Sequence, residues 1–254
     1  MTSDAFRLDG KNAIVTGSHK GLGAAMAVAL AQAGGNVACS GRDPNPGGAS
    51  GDIRALGRKT FYFAGDLADA KVCAALVDKT VAEFGSIDIL VNNAGIIRRA
   101  PAEEFSDEDW DAVISVNLTA VFRLSRLAGR QMLKQGKPGK IVNIASILSF
   151  QGGIRVPAYA AAKGGIAQLT KALSNEWAAK GINVNAIAPG YMSTDNTTAL
   201  REDAVRNRQI LERIPAGRWG EPQDLAGATV FLCSPASDYV HGHVLVVDGG
   251  WLAR

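Results

Sequence analysis

Ser146, Tyr159 and Lys163 are the residues of this 254-residue chain whose types and spacing could do proton chemistry. In Tyr159-Ala-Ala-Ala-Lys163 a phenol and an amine stand four residues apart, and on a helix that spacing places them one above the other on one face. A phenol ordinarily ionises near pH ~10. An ammonium within a few ångströms favours the phenolate, so Lys163 is expected to tune Tyr159 into an acid/base that works closer to neutrality. Ser146 follows an apolar run, where its hydroxyl could donate to a substrate oxygen beside the phenol and stabilise developing alkoxide charge. Tyr and Lys at helical spacing also recur by chance, so the elements that carry them have to decide.

Those elements alternate. Asn12 to Thr16 is a short branched apolar run, then come Gly17, Gly21 and Gly23 within T-G-x-x-x-G-x-G, then a helical stretch from Leu22 to Ala33. Glycines at such a turn let backbone approach a pyrophosphate at a helix N-terminus, where free N–H groups and the dipole favour an anion. Asn36 to Ser40 is the second strand, and Gly41-Arg42 stand where an acidic residue often meets the adenosine ribose. Asp43 to Gly51 has the composition of a loop. Lys59 to Ala64 is a third strand closed by Gly65-Asp66-Leu67, with Asp66 either capping the next helix or touching adenine.

Ala70 to Phe84 is a helix and Ile87 to Val91 a fourth strand, ending in Asn92-Asn93-Ala94-Gly95. Small residues there admit a cofactor, or the amides tie neighbouring strands. Ser106-Asp107-Glu108-Asp109 opens a long helix as an N-cap with an acidic first turn. Within that helix Asn117 is a poor interior residue, so its amide either bonds in the core or serves a site. Lys140 to Ala145 delivers Ser146, and Pro157 to Lys180 is the helix of Tyr159 and Lys163, with Ile166, Leu169, Leu173 and Trp177 as its core stripe. Ile182 to Ala188 is a sixth strand ending at Pro189-Gly190. The polar segment Tyr191 to Trp219, with a helix from Leu200 to Arg213, reads as a substrate lid or a surface hairpin. A helix at Pro222 to Leu232 and a strand at His243 to Val247 complete the series.

Strands and helices in alternation imply an α/β fold of Rossmann type: a doubly wound parallel sheet of about seven strands, helices on both faces, one domain spanning 1–254. Gly17, Asp66, Asn93, Ser146 and Pro189 then all fall just past strand C-termini, where such sheets bind ligands. Composition excludes other classes. Hydrophobic residues are 47% and charged residues 20%, and a net charge of +3 spread without a basic block gives no footprint for nucleic acid. Cys39, Cys73 and Cys233 form no C-x-x-C, so neither a disulfide framework nor a metal site is expected, and a reducing cytoplasm is. No export signal and no run of 18 apolar residues appears, so no membrane span is expected.

The same motifs, T-G-x-x-x-G-x-G at Thr16 to Gly23, N-N-A-G at Asn92 to Gly95, Asn117, Ser146, Y-x-x-x-K at Tyr159 to Lys163 and P-G at Pro189-Gly190, resemble the short-chain dehydrogenase/reductase family from Gly10 to Arg254. The resemblance implies hydride transfer between a nicotinamide cofactor and a carbonyl or alcohol. It casts Asn117, Ser146, Tyr159 and Lys163 as catalytic, with Asn117 holding a water in the proton path and Lys163 gripping the nicotinamide ribose. Gly17, Lys20, Gly21, Leu22, Gly23, Arg42, Asp66, Leu67, Asn93, Ala94, Gly95, Tyr159, Lys163, Pro189, Gly190, Met192 and Thr194 are assigned to the cofactor. A homotetramer is implied as well.

Within the family the chain is most similar to sugar-acid dehydrogenases, through Ile97-Arg98-Arg99, Ser149 to Pro157, Ala188 to Met192, Arg213 to Trp219 and Val247 to Arg254. The expected substrate is a 2-keto-3-deoxy or related sugar acid, bound by Ser146, Tyr159 and Arg155, with Arg155 either a bidentate carboxylate holder or a surface or interface arginine, and Arg98 and Arg99 following the cofactor loop. Gly41 lacks the carboxylate that would hold an NAD ribose, while Lys20 and Arg42 offer cations, so NADP is favoured and NAD possible. A 3-oxoacyl-carrier-protein reductase shares these motifs and is the rival enzyme. A catalytically silent nucleotide-binding regulator is the rival outside enzymes, and the intact Ser146, Tyr159 and Lys163 argue against it.

Overall fold

Seven apolar runs lie side by side as one parallel sheet in the computed structural model, which describes residues 4–45 and 47–254. The strands are β1 (Asn12–Val15), β2 (Asn36–Gly41), β3 (Thr60–Ala64), β4 (Ile89–Asn92), β5 (Gly139–Ile144), β6 (Ile182–Pro189) and β7 (Val244–Val247). Their order is β3-β2-β1-β4-β5-β6-β7, and every neighbouring pair is parallel. Because both faces are covered, inner strands read as unbroken apolar runs: all four residues of β1 and all eight of β6 are buried.

Alternation along each strand sorts its side chains between two cores. Ala13 and Val15 join Met26, Leu30, Ile53 and Leu232 on one face, while Ile14 joins Leu76, Leu124, Met132 and Trp177 on the other. The first face is covered by α1 (Gly21–Gln32), α2 (Ala49–Ala55) and α9 (Ala226–Cys233), the second by α3 (Ala70–Phe84), α5 (Ala120–Gln135) and α6 (Pro157–Trp177). Local chemistry sets the ends. Asp69 caps α3 by accepting from Lys71 N at 2.8 Å, Gly85 ends it at φ 84°, and Pro157 opens α6 where no helical N–H is needed.

Several boundaries differ from the sequence reading by a few residues, and three differences change an element. Ala49, expected in a loop, already starts α2, because Ser50 and Ile53 find buried places there. The long helix after Ser106 is interrupted: α4 (Asp107–Ile114) runs through a π-helical turn at Ser115–Thr119 into α5, and Asn117 sits in that turn. The helix expected from Leu200 to Arg213 is two, α7 (Thr198–Glu202) and α8 (Ala204–Arg213). Asp203 divides them by capping α8, accepting from Val205 N and Arg206 N at 3.0 Å each. The strand order reverses direction between β1 and β4, and the crevice this opens at their C-terminal ends is where such sheets hold a ligand.

Candidate active site

A cleft of about 570 Å³ occupies that crevice. Of the residues assigned to a cofactor from sequence, Gly17, Lys20, Gly21, Leu22, Gly23, Arg42, Asp66, Leu67, Asn93, Ala94, Gly95, Tyr159, Lys163 and Thr194 line it. Pro189, Gly190 and Met192 do not. Pro189 ends β6 in register with Val247, Gly190 packs against Asp248 too closely for a side chain, and Met192 is buried against Gly220. They aim the chain that brings Thr194 to the cleft.

The glycines answer whether a dinucleotide fits. Gly17 and Gly21 take φ of 64° and 58°, and a Cβ on Gly23 would overlap the Gly17 carbonyl. No side chain caps α1, so its first N–H groups face the cleft as a ready anion site. Asn93 shows what its motif does: its amide donates to the carbonyls of Thr16 at 2.8 Å and Gly17 at 3.1 Å, pinning the glycine turn. Asn92 lies behind it, donating to Asn143 Oδ1 at 2.9 Å and Ser125 Oγ at 3.0 Å. Amides of this stretch therefore tie strands together, while Ala94 and Gly95 form wall. Asp66 accepts from Ala68 N at 3.0 Å and lines the cleft; Asp69 is the helix cap.

At the β2 end, the loop after β1 is bound to the strand by Ser18 N donating to Ser40 O at 2.8 Å. A Cβ on Gly41 would overlap the Tyr62 hydroxyl and lie 2.8 Å from His19 Nδ1, so a side chain there would have to displace both. Asp43, two residues on, accepts from Asn45 N at 2.8 Å within its own loop. Arg42 makes no side-chain hydrogen bond among the described residues, and Lys20 Nζ lies 2.7 Å from Asp195 Oδ2. Residues suited to a cofactor carrying an extra phosphate are present, and Gly41 itself brings no carboxylate to exclude one.

At the other end, α6 carries Tyr159 and Lys163 on one face, with Lys163 Nζ 5.5 Å from the phenol ring centre. Lys163 is buried and donates to Ile144 O at 2.5 Å. Burial alone lowers its pKa to about 8. Tyr159 is pushed up by burial, and the groups pulling it back are the Ser146 hydroxyl and the charge of Arg99. Ser146, at the end of β5, is buried beside that phenol; its Oγ accepts from Leu148 N at 3.1 Å and so keeps its proton to donate. Ser149 Oγ donates to Lys163 O at 2.6 Å and accepts from Ser146 N at 3.3 Å, locking the serine turn to α6.

Asn117 is fully buried and its amide bonds the main chain of one residue from both sides. Oδ1 accepts from Ile96 N and Nδ2 donates to Ile96 O, both at 2.8 Å. Its side chain holds the wall loop. Arg155 lies at the surface, the second of its two readings from sequence. It is exposed at φ 63°, its carbonyl accepts from Ala100 N at 3.1 Å, and it does not line the cleft. Arg99 is the arginine whose charge reaches Tyr159, and its guanidinium donates to Asn196 O at 3.0 Å. Arg98 turns away to Asp109 at 3.1 Å.

Asp195 and Asn196, not assigned from sequence, complete the rim with Thr194. Behind them the 191–219 segment has its own apolar cluster, Ile210, Ile214 and Trp219 against Ile147 and Trp251. Among the described residues no group of three His, Cys, Asp or Glu side chains could hold a metal, and no helix is long and apolar enough to cross a membrane.

Comparison with known proteins accords with this site. A family model described as enoyl-(acyl carrier protein) reductase matches residues 17–252. The 2-dehydro-3-deoxy-D-gluconate 5-dehydrogenase of Dickeya dadantii (strain 3937) is 55% identical over 254 residues, all of both chains. A candidate 2-deoxy-D-gluconate 3-dehydrogenase from Agrobacterium tumefaciens, crystallised with NADP, is 57% identical with a TM-score of 0.93, covering 99% of this chain and 100% of that one. A gluconate 5-dehydrogenase from Burkholderia cenocepacia J2315, in complex with NADP and tartrate, is 41% identical with a TM-score of 0.95 over 100% of both chains. A dinucleotide cleft at the strand reversal, a serine and a tyrosine–lysine helix at its far end, and these full-length likenesses place the chain in the short-chain dehydrogenase/reductase family.

Proposed function

We propose that this protein interconverts a ketone and a secondary alcohol on 2-dehydro-3-deoxy-D-gluconate or a close sugar acid, at the 5-position, with NADP(H) preferred and NAD(H) usable. The observation that carries the reading is the convergence of Ser146, Tyr159 and the charge of Arg99 at one end of a cleft whose other end holds Lys20 and Arg42. The 55% identical relative and the tartrate-bound neighbour support an acid as substrate.

The nicotinamide cofactor, when bound, accepts or supplies the hydride. Tyr159 exchanges the proton at the substrate oxygen, and the Ser146 hydroxyl donates to that oxygen as charge develops. A phenol pushed up by burial stays protonated at neutral pH, which suits ketone reduction; alcohol oxidation needs the phenolate and rises through the alkaline range. Lys163, with its amine held at the Ile144 carbonyl, is placed to bond ribose hydroxyls. Asn117, within the π-helical turn, positions the wall through Ile96 and holds a water in the proton path. Arg99, rather than Arg155, holds the substrate carboxylate.

We read the chain as one domain with 191–219 as a substrate lid, working in the cytoplasm, where three buried unpaired thiols suit a reducing environment. A homotetramer is supported by two separate apolar exposures. Phe122 and Leu133 lie on one face of α5, and Phe150 and Val246 lie at the open β7 edge.

The test is absorbance of the reduced nicotinamide with a panel of 2-keto-3-deoxy and 5-keto sugar acids, neutral ketones and 3-oxoacyl thioesters. Sugar acids should turn over fastest, Tyr159→Phe should lose ~10²-fold or more in kcat, and Arg99→Ala should raise KM for acids by up to about tenfold while sparing neutral ketones. Faster turnover of the thioesters would select the acyl-carrier-protein reading instead.

A further inference from the structure

The lid carries a carboxylate into the end of the cleft that the cofactor's adenosine must use. Asp195 is the first residue of a short helical turn after Thr194 and lines the cleft together with Lys20, His19, Gly41 and Arg42. Its Oδ2 lies 2.7 Å from Lys20 Nζ, in the direct contact of an ion pair. Lys20 belongs to the glycine turn, which Ser18 fastens to the end of β2, and lines the cleft with Gly41 and Arg42, where a dinucleotide presents the adenosine ribose. Asp195 remains ionised at neutral pH, with Lys20 holding its carboxyl below the usual range. The neighbouring Asn196 carbonyl accepts from Arg99 at 3.0 Å, so this turn is fastened on both sides of the cleft mouth.

We propose that Asp195 is a specificity-determining residue: its carboxylate competes with the 2′-phosphate of NADP(H) for Lys20, and so restrains the preference for NADP(H) over NAD(H). A 2′-phosphate is a dianion near neutrality and needs the cation that Asp195 already occupies; a 2′-hydroxyl makes no such demand. NADP binding therefore exchanges one Lys20 partner for another and meets the repulsion of the displaced carboxylate, whereas NAD binding leaves the Lys20–Asp195 pair in place. The residue acts on the choice of cofactor and has no part in the proton chemistry. The inference rests on the dinucleotide reading of the cleft.

Calorimetric titration of the intact protein with NADP+ and with NAD+, without substrate, tests it. Asp195→Asn should tighten NADP+ by about two- to fivefold, the range an exposed ion pair spans, and leave NAD+ unchanged. Lys20→Met should weaken NADP+, and in that background Asp195→Asn should lose most of its effect. An equal shift for both cofactors, a weakening of NADP+ by Asp195→Asn, or a full gain that persists without Lys20 would overturn the competition while leaving the dinucleotide reading intact. A parent protein that binds neither cofactor would overturn both.

Discussion

Lys163 shows how a single side chain can be costly and useful at once. Its amine is buried with one carbonyl as partner, and a pKa near 8 instead of 10.5 corresponds to on the order of 3 kcal/mol against the charged form. The folded value lies below the unfolded one, so the penalty is complete below pH 8, shrinks as pH rises from about 8 towards 10.5, and is gone above that. Lys163→Met should thus stabilise the ligand-free protein by about 1–2 kcal/mol at pH 7, after losing a hydrogen bond of about 1 kcal/mol. The gain should disappear near pH 10, and turnover should collapse at either pH. Urea denaturation at the two pH values checks this; an equal difference at both would mean that the lysine is not buried charged.

At the scale of elements, the π-turn at Ser115–Thr119 and the wall loop at Ile96 depend on each other. Asn117 satisfies both polar groups of the Ile96 peptide, and no other residue type presents a donor and an acceptor in that geometry at that length. Asn117→Ala leaves a buried N–H and C=O to find water and should destabilise by about 2 kcal/mol or more, with a lower denaturation midpoint and an unchanged slope. Turnover should fall along with it. Asn117→Asp, which keeps the acceptor and loses the donor, should lie between alanine and the parent in stability at neutral pH. A variant as stable as the parent would show that the loop is held by other contacts.

For the whole molecule, apolar side chains left uncovered on α5 and beside β7 call for partners, and the sheet edge at β7 is open. Sedimentation velocity should give a species of four times the mass of one chain. Phe122→Glu should reduce it to dimers by removing one of two interfaces, and because Phe122 is already at the surface the fold should survive. A monomeric parent at micromolar concentration would dismiss the assembly.

The arrangement of this protein was legible wherever a short pattern carries its own physical cause. Branched apolar runs, glycine turns, the Ser106 and Pro157 helix starts and the Tyr159–Lys163 spacing follow from periodicity and backbone sterics, which neighbours in sequence settle. The parallel sheet followed from their alternation, and with it the crevice that gathers the site. Tertiary packing decided what distance in sequence hides. It turned Lys163 towards Ile144 and left Tyr159 raised by burial, and it spent the Asn117 amide on Ile96. It also filled the space beside Gly41 with His19 and Tyr62, set Arg99 rather than Arg155 by the phenol, and brought Asp195 across the cleft to Lys20. Each outcome turns on desolvation or on a contact between segments tens of residues apart, and neither quantity exists until the chain has folded.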